Sequence, residues 1–370
     1  MPLDIRLIQD SERRSVNDFY NKTRNLNGPL KNNTREYSEF CWEFIHGPER
    51  EAIYAGAWET EDGKEPAIIG MQCVIIHKMI SSSGKCFLAA KGEDTLIDIK
   101  ALIKYKRKDI LKELSILLMG ECRKKGIKFM WGLNNLPATY RRLGFETPFK
   151  SYNRILVLDP IRACKNIITL RSEQTTSGKL KIAALSGLSY LYSLKKNIIL
   201  SQKKNYHMNT EISDNTQLFQ RAASAGTLYF MAQDKEYLKW RISENPYPVT
   251  YRSFQMFDPA GILKAQVICS IHNDVAFIEQ TLFDSDLDRK VVNFLLKKIV
   301  RSLKKAAVSL VRYSGFKHNS LNKRELNLFE NLGFVTTGKG EWFTFKQLSD
   351  DPVFTPEAIY LSRLYKQGRT

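Results

Sequence analysis

The sequence predicts a mixed α/β (α+β) fold present twice, each copy a mostly antiparallel sheet flanked by helices. Two observations carry that expectation: 370 residues are too many for one ordinary core, and three landmarks recur in the same order. Trp42 is followed six positions later by Pro48, and Trp240 six positions later by Pro246. Glu93-Asp94-Thr95-Leu96-Ile97-Asp98 matches Glu279-Gln280-Thr281-Leu282-Phe283-Asp284, and Leu143-Gly144-Phe145 matches Leu332-Gly333-Phe334. Thr95 to Phe145 spans 50 residues and Thr281 to Phe334 spans 53, so a repeated fold accounts for both.

Each copy shows the same order of elements. In the first, apolar alternation near Ile53–Trp58, Ile68–Ile76 and Phe87–Ile97 predicts antiparallel strands separated by Gly-containing turns. A helix is expected from Lys108 to Lys125, with Ile110, Leu111, Leu114, Leu117 and Leu118 on one face and Gly126 as its stop. A strand at Lys128–Leu133, a short helix at Ala138–Leu143 and a closing strand at Tyr152–Leu158 follow. The second copy repeats the pattern with strands near Tyr251–Phe257, Leu263–Ser270 and Val275–Leu282. A helix at Leu287–Lys305, a strand at Val308–Tyr313 and a helix at Lys323–Leu332 complete it. The expected organisation is a catalytic domain at 1–158, a linker at 159–225, a degenerate second domain at 226–348 and a C-terminal extension at 349–370. Within the linker, Ile182, Leu185, Leu188, Tyr192 and Ile199 recur near helical spacing opposite Ser186, Ser189, Ser193 and Lys196. That pattern fits a linker helix docked on one domain, or a basic helix at 180–200 in peripheral contact with a membrane.

Hydrophobic residues at 43% and charged residues at 26% favour packed cores over disorder. The net charge of +18 predicts attraction to polyanions: nucleic acid, anionic lipid, a phosphorylated cofactor or an acidic glycan. Because the cations fall in short clusters such as Arg123-Lys124-Lys125, solvated helix faces account for most of them and nucleic acid is not favoured. Six scattered cysteines without a CxxC pair, and five scattered histidines, predict reduced core thiols and no metal site. The N-terminus lacks the charged-then-apolar plan of a secretory signal. The uncharged stretch Ile182–Leu194 is 13 residues, against the about 20 that span a bilayer. A cytoplasmic protein is expected, with any membrane contact peripheral and at the inner face.

Two motifs carry chemistry. Tyr105-Lys106-Arg107-Lys108-Asp109-Ile110 stands at the start of a helix, where bare amides and the positive dipole end suit a diphosphate. Asn134-Asn135-Leu136-Pro137-Ala138-Thr139-Tyr140-Arg141-Arg142-Leu143-Gly144-Phe145 follows a strand. Together they resemble the acyl-CoA pyrophosphate loop and the later Asn…Tyr…Gly-Phe signature of the GNAT superfamily of N-acyltransferases, well over 1–158 and more faintly over 226–345. The resemblance implies two GNAT-like domains and acetyl-CoA or another acyl-CoA as donor. It further implies a cofactor site of Ala101, Leu102, Lys106, Arg107, Lys108, Asp109, Ile110 and Asn134. Tyr140 would protonate the departing thiolate, whereas its counterpart in the second copy, Phe329, has no proton to give. The chain departs from the family pattern at Arg107 and Asp109, which stand where glycines are usual.

A base for the attacking amine is sought among Glu93, Asp94 and Asp98, with Glu93 and Asp98 the candidates. Strand alternation puts Asp94 and Asp98 on one face and Glu93 on the other. The resemblance points to transfer of an acetyl group to a primary amine on a small acceptor such as an amino sugar. Two alternatives stay open: a Fem-type aminoacyltransferase drawing on aminoacyl-tRNA, which +18 would suit, and a binding protein that kept the fold without catalysis.

Overall fold

A computed structural model describes residues 3–27, 34–48, 51–60, 65–105, 109–171, 175–196, 206–223, 228–350 and 354–365. They form two compact units, and neither is a continuous stretch of chain. The first takes Met1–Met79, Cys86–Phe149 and Glu341–Pro356; the second takes Ile80–Lys85, Lys150–Gly340 and Glu357–Thr370.

In the first unit the chain runs through β1 (Leu3–Leu7), α1 (Arg13–Asn27), α2 (Tyr37–Phe44), β2 (Glu51–Glu59), β3 (Ala67–Ser81) and β4 (Cys86–Ile97). It continues through α3 (Ile99–Tyr105), α4 (Ile110–Lys124), β5 (Phe129–Asn134) and α5 (Pro137–Arg142). The strand order is β1-β2-β3-β4-β5, and β4 pairs with β5 in parallel. Period-2 alternation along β2 splits its side chains between two cores. Ile53, Ala55 and Ala57 meet Ile110, Leu114, Leu118 and Cys122 of α4. Tyr54 and Trp58 meet Phe19 and Tyr20 of α1 and Phe40 and Phe44 of α2. These four α4 residues recur every fourth position, with Ser115 and Met119 buried beside them, which is why this segment is helical. Gly126, at φ +70°, then ends the helix as expected, with its N–H donated to Arg123 O.

The second unit holds β6 (Lys150–Val157), α6 (Pro160–Arg171), α7 (Thr176–Lys196), β7 (His207–Asn209), α8 (Thr216–Ala222), β8 (Tyr229–Met231) and α9 (Lys235–Leu238). It then repeats the core of the first with β9 (Thr250–Phe257), β10 (Leu263–His272), β11 (Val275–Phe283), α10 (Arg289–Lys305), β12 (Leu310–Gly315) and α11 (Ser320–Asn331). Strand β13 (Val335–Gln347) follows, its residues from Glu341 onward belonging to the first unit. Asp288 caps α10 by accepting from Lys290 N. Helices α10 and α11 bury Leu295, Leu296, Ile299, Leu303 and Phe329 on one sheet face. On the other face, Ala163 of α6 packs with Val157, Val275, Phe277 and Leu310.

The mixed, mostly antiparallel sheets flanked by helices agree with the expected fold class, but the units do not follow the four expected segments. The strand expected to close the first sheet at Tyr152–Leu158 is β6, and it pairs antiparallel with β12, from Tyr152↔Gly315 to Val157↔Leu310. In return Trp342–Gln347 of β13 pair with Asn134–Phe129 of β5. Each sheet is thus completed by the final strand of the other copy. Alternation marks a segment as a strand without naming its partner, which is why the exchange is silent in the sequence. Residues expected as a linker, including α6 and α7, belong to the second unit.

Candidate active site

Strands β4 and β5 start as a parallel pair and then part. Ala90↔Met130 and Lys91↔Trp131 are in register, but β4 continues to Ile97 and β5 to Asn134 beyond the last pair. Gly92 and Gly132 stand where the ladder ends: a Cβ on Gly132 would lie 3.6 Å from Gly92 O and 3.4 Å from Thr344 Oγ1. Past this point β4 and β5 run on without a further pair between them among the described residues, and the gap between them is the wedge. The signal is present in the sequence, since a lone glycine inside a strand pattern marks close backbone approach.

The kink that turns β4 away sits at Asp94, whose φ of +36° is in the left-handed region. It breaks the alternation that would place Asp94 and Asp98 together. The Asp94 carboxylate accepts at 2.7 Å from Arg35 Nη1, and the same nitrogen reaches Glu43 Oε2 at 3.2 Å. Arg35 is 3% exposed. Its Nε donates to Asn17 Oδ1 at 2.9 Å, its backbone N–H to Asn21 Oδ1, and its guanidinium lies 3.7 Å from the Tyr20 ring centroid. Burial alone would lower the guanidinium's pKa; the charges of Asp94 and Glu43 outweigh it and raise it. This cage, anchored by a residue outside every motif, holds the bulge in place.

Of the candidate carboxylates, Glu93 is half-buried and ion-paired with Lys91, whose ammonium lies 5.7 Å from the Trp131 ring centroid. Asp98 sits beyond the end of β4 and accepts from Lys100 N at 2.8 Å, so its carboxylate caps α3. Tyr140, on α5, is half-buried, packs edge-on against Phe145 with centroids 5.6 Å apart, and shares a 3.4 Å contact with Thr95 Oγ1 of β4. Burial raises its pKa above the ordinary 10 against the opposing hydrogen bond from Thr95, so the phenol keeps its proton at neutral pH. The structure therefore brings Tyr140 to β4, one residue past the kink.

The expected cofactor residues divide. Lys106, Arg107 and Lys108 lie outside the described residues. Asp109 is the N-cap of α4 and makes no side-chain cap hydrogen bond, while Ile110 is wholly buried in the core. Ala101 and Leu102 lie on α3, a helix that no periodicity announces between β4 and the loop; Ala101 is buried and Leu102 packs beside it. Asn134 ends β5. Its Oδ1 accepts from Leu136 N at 2.8 Å, and its Nδ2 is buried with no hydrogen-bond partner among the described residues. A buried amide donor left open at the mouth of parted strands fits the polar arm of an acyl-CoA.

The second unit contains the same device, closed. β11 and β12 are in register from Val275↔Leu310 to Ile278↔Tyr313, and β11 then continues through a fully buried Glu279–Phe283. The C-terminal segment occupies this region. Tyr360 OH donates to Thr281 O at 3.0 Å and reaches Glu325 Oε1 at 2.8 Å, while Leu361 exchanges two hydrogen bonds with the Asn322 side chain. Phe329, the counterpart of Tyr140, is buried against Tyr313 and Phe334. Among the described residues no group of three or more His, Cys, Asp or Glu is placed to hold a metal ion.

Solved structures share this fold. A tandem GNAT protein from the clavulanic acid biosynthesis pathway superposes with a TM-score of 0.52 at 12% identity, over 95% of this chain and 100% of that one. The fold is a tandem GNAT fold. A conserved protein of Enterococcus faecalis V583, named a probable N-acyltransferase, matches at TM-score 0.59 and 10% identity, over 94% of this chain and 73% of that one. N-myristoyltransferase of Saccharomyces cerevisiae with bound myristoyl-CoA matches at 0.56 and 12% identity, over 94% and 80%. No protein-family model and no curated protein matches the sequence. At such identities the likeness establishes the tandem GNAT fold, and chemistry must be argued from the residues.

Proposed function

We propose that the chain is an N-acyltransferase whose first unit takes an acyl-CoA between β4 and β5 and passes the acyl group to a primary amine. Acetyl-CoA is the donor we assign, and a small amine such as an amino sugar the acceptor. The observation that carries this reading is the parting of β4 and β5 with Tyr140 placed beside Thr95.

Bound acyl-CoA supplies a thioester carbonyl and a thiol leaving group. Around it, Asn134 Nδ2 donates to the polar arm, and the first-turn amides of α4 face the diphosphate. As the amine nitrogen bonds to the carbonyl carbon, its proton passes to a carboxylate, a role we assign to Glu93. When the C–S bond breaks, the phenol of Tyr140 gives its proton to sulfur. Asp98, capping α3, fixes the end of β4 that these groups share. The closed second unit has neither an open wedge nor a phenol at the Tyr140 position, so it supports the first. The free cysteines among the described residues suit the reducing cytoplasm in which acyl-CoA is available.

Steady-state acetylation of a panel of amines and amino sugars tests the reading. Tyr140→Phe should lower kcat by about 10²–10⁴-fold, the span expected of a general acid, with little change in KM for acetyl-CoA. Turnover at an unchanged rate would remove Tyr140 from the mechanism. Transfer from aminoacyl-tRNA with none from acyl-CoA would replace the donor.

A further inference from the structure

We propose that α6 and α7 form a surface that docks on an anionic lipid bilayer. The helix α7 is packed with its poorer side inward. Ile182, Ser186 and Ser189 are buried, and both serine hydroxyls lack a hydrogen-bond partner among the described residues. Leu180, Leu185, Leu188 and Leu191 are 63–66% exposed, joined by Tyr192 and Leu194. Leu185, Leu188, Leu191 and Leu194 recur every third residue, Tyr192 is four from Leu188, and all six lie on the half of the helix away from the buried serines. On α6, Ile161 is 82% exposed. A run of exposed apolar side chains along one side of a helix, as on α7, marks an interaction site, whereas isolated surface leucines do not.

The charge around the face selects the partner. Residues 160–196 carry seven Lys and Arg against one acidic residue, Glu173, and α7 itself has no carboxylate. Lys165 of α6 and Lys179 and Lys181 of α7 are exposed on the same two helices. Apolar side chains ringed by cations with an aromatic at the edge suit the headgroup–acyl boundary of a membrane rich in anionic lipid. No helix among the described residues is long and apolar enough to cross a membrane, so α7 would lie in the interface plane. The sequence placed Leu185 and Leu188 with Ile182 on one apolar face; the structure turns those two leucines outward. The proposal does not depend on the acyl-transfer reading.

Co-sedimentation of the full chain with vesicles tests it. The wild type should pellet with vesicles of phosphatidylcholine mixed with phosphatidylglycerol and stay in solution with phosphatidylcholine alone. A triple variant L185E/L188E/L191E changes only exposed positions, and circular dichroism checks its fold. It should bind anionic vesicles at least tenfold more weakly, and K179E/K181E should weaken binding and its salt dependence. Two outcomes would overturn the proposal: equal binding of the leucine variant, which would leave net charge as the whole cause, and no vesicle binding by the wild type. A leucine-dependent dimer by sedimentation velocity, without lipid binding, would assign the face to a second copy instead.

Discussion

At the scale of single residues, the site combines motif residues, Asn134 and Tyr140, with groups that no motif contains. Arg35 neutralises Asp94 at the kink of β4 and reaches Glu43 as well. Arg35→Met would take the guanidinium away from two carboxylates in a buried setting, which costs about 3–5 kcal/mol. Urea denaturation should show that loss, and a change below about 1 kcal/mol would mean the cage is solvated. Glu325 offers a second test. Burial pushes its carboxyl from 4.5 up to about 8, against hydrogen bonds from Tyr360, Thr281 and Asn322. Between those two pH values the folded chain holds a proton that the unfolded chain has lost, so stability falls as pH rises through the window, by up to ~1.4 kcal/mol per unit. His318, held down to about 4 by burial, pulls the other way only between pH 4 and 6.5. From pH 6.5 to 8 the midpoint of unfolding should therefore drop in the wild type and stay flat in Glu325→Gln; parallel curves would contradict the buried-acid account. Tyr140 was legible because Gly144-Phe145 fixes its place in a motif. Arg35 was not, since its partner Asp94 lies 59 positions away along the chain.

At the scale of elements, periodicity located most of the strands and both long helices of the repeated cores, because one face of each is buried. It missed α3, a seven-residue helix with a single buried side chain, Ala101. It misjudged the buried side of α7, where leucines occupy more of the circumference than any one neighbour can cover. The parting of β4 and β5 is the element-level feature that matters most for function. Gly132 has room for a methyl at ordinary contact distance, since a Cβ there would lie 3.6 Å from Gly92 O, but a branched side chain would enter the mouth of the wedge. Gly132→Ala should keep acetyl-CoA affinity, whereas Gly132→Val should lower it by at least about tenfold, or 1.4 kcal/mol. Equal affinities for the two variants would place the donor elsewhere.

For the whole molecule, the repeat announced two copies but not their unequal fates. The first keeps an Asn134 amide with no hydrogen-bond partner among the described residues, and a phenol beside its wedge; the second fills the corresponding place with Tyr360 and Leu361 from its own C-terminal segment. No periodicity or motif in residues 354–365 signals this, because the segment acts by fitting a pre-existing gap rather than by forming a strand or long helix. The asymmetry makes stoichiometry decisive. Isothermal titration of the full chain with acetyl-CoA should give a single bound molecule per chain, weakened by at least about tenfold in Gly132→Val and unchanged in Tyr360→Phe. Two molecules per chain, or none, or an affinity unchanged by Gly132→Val, would contradict the account.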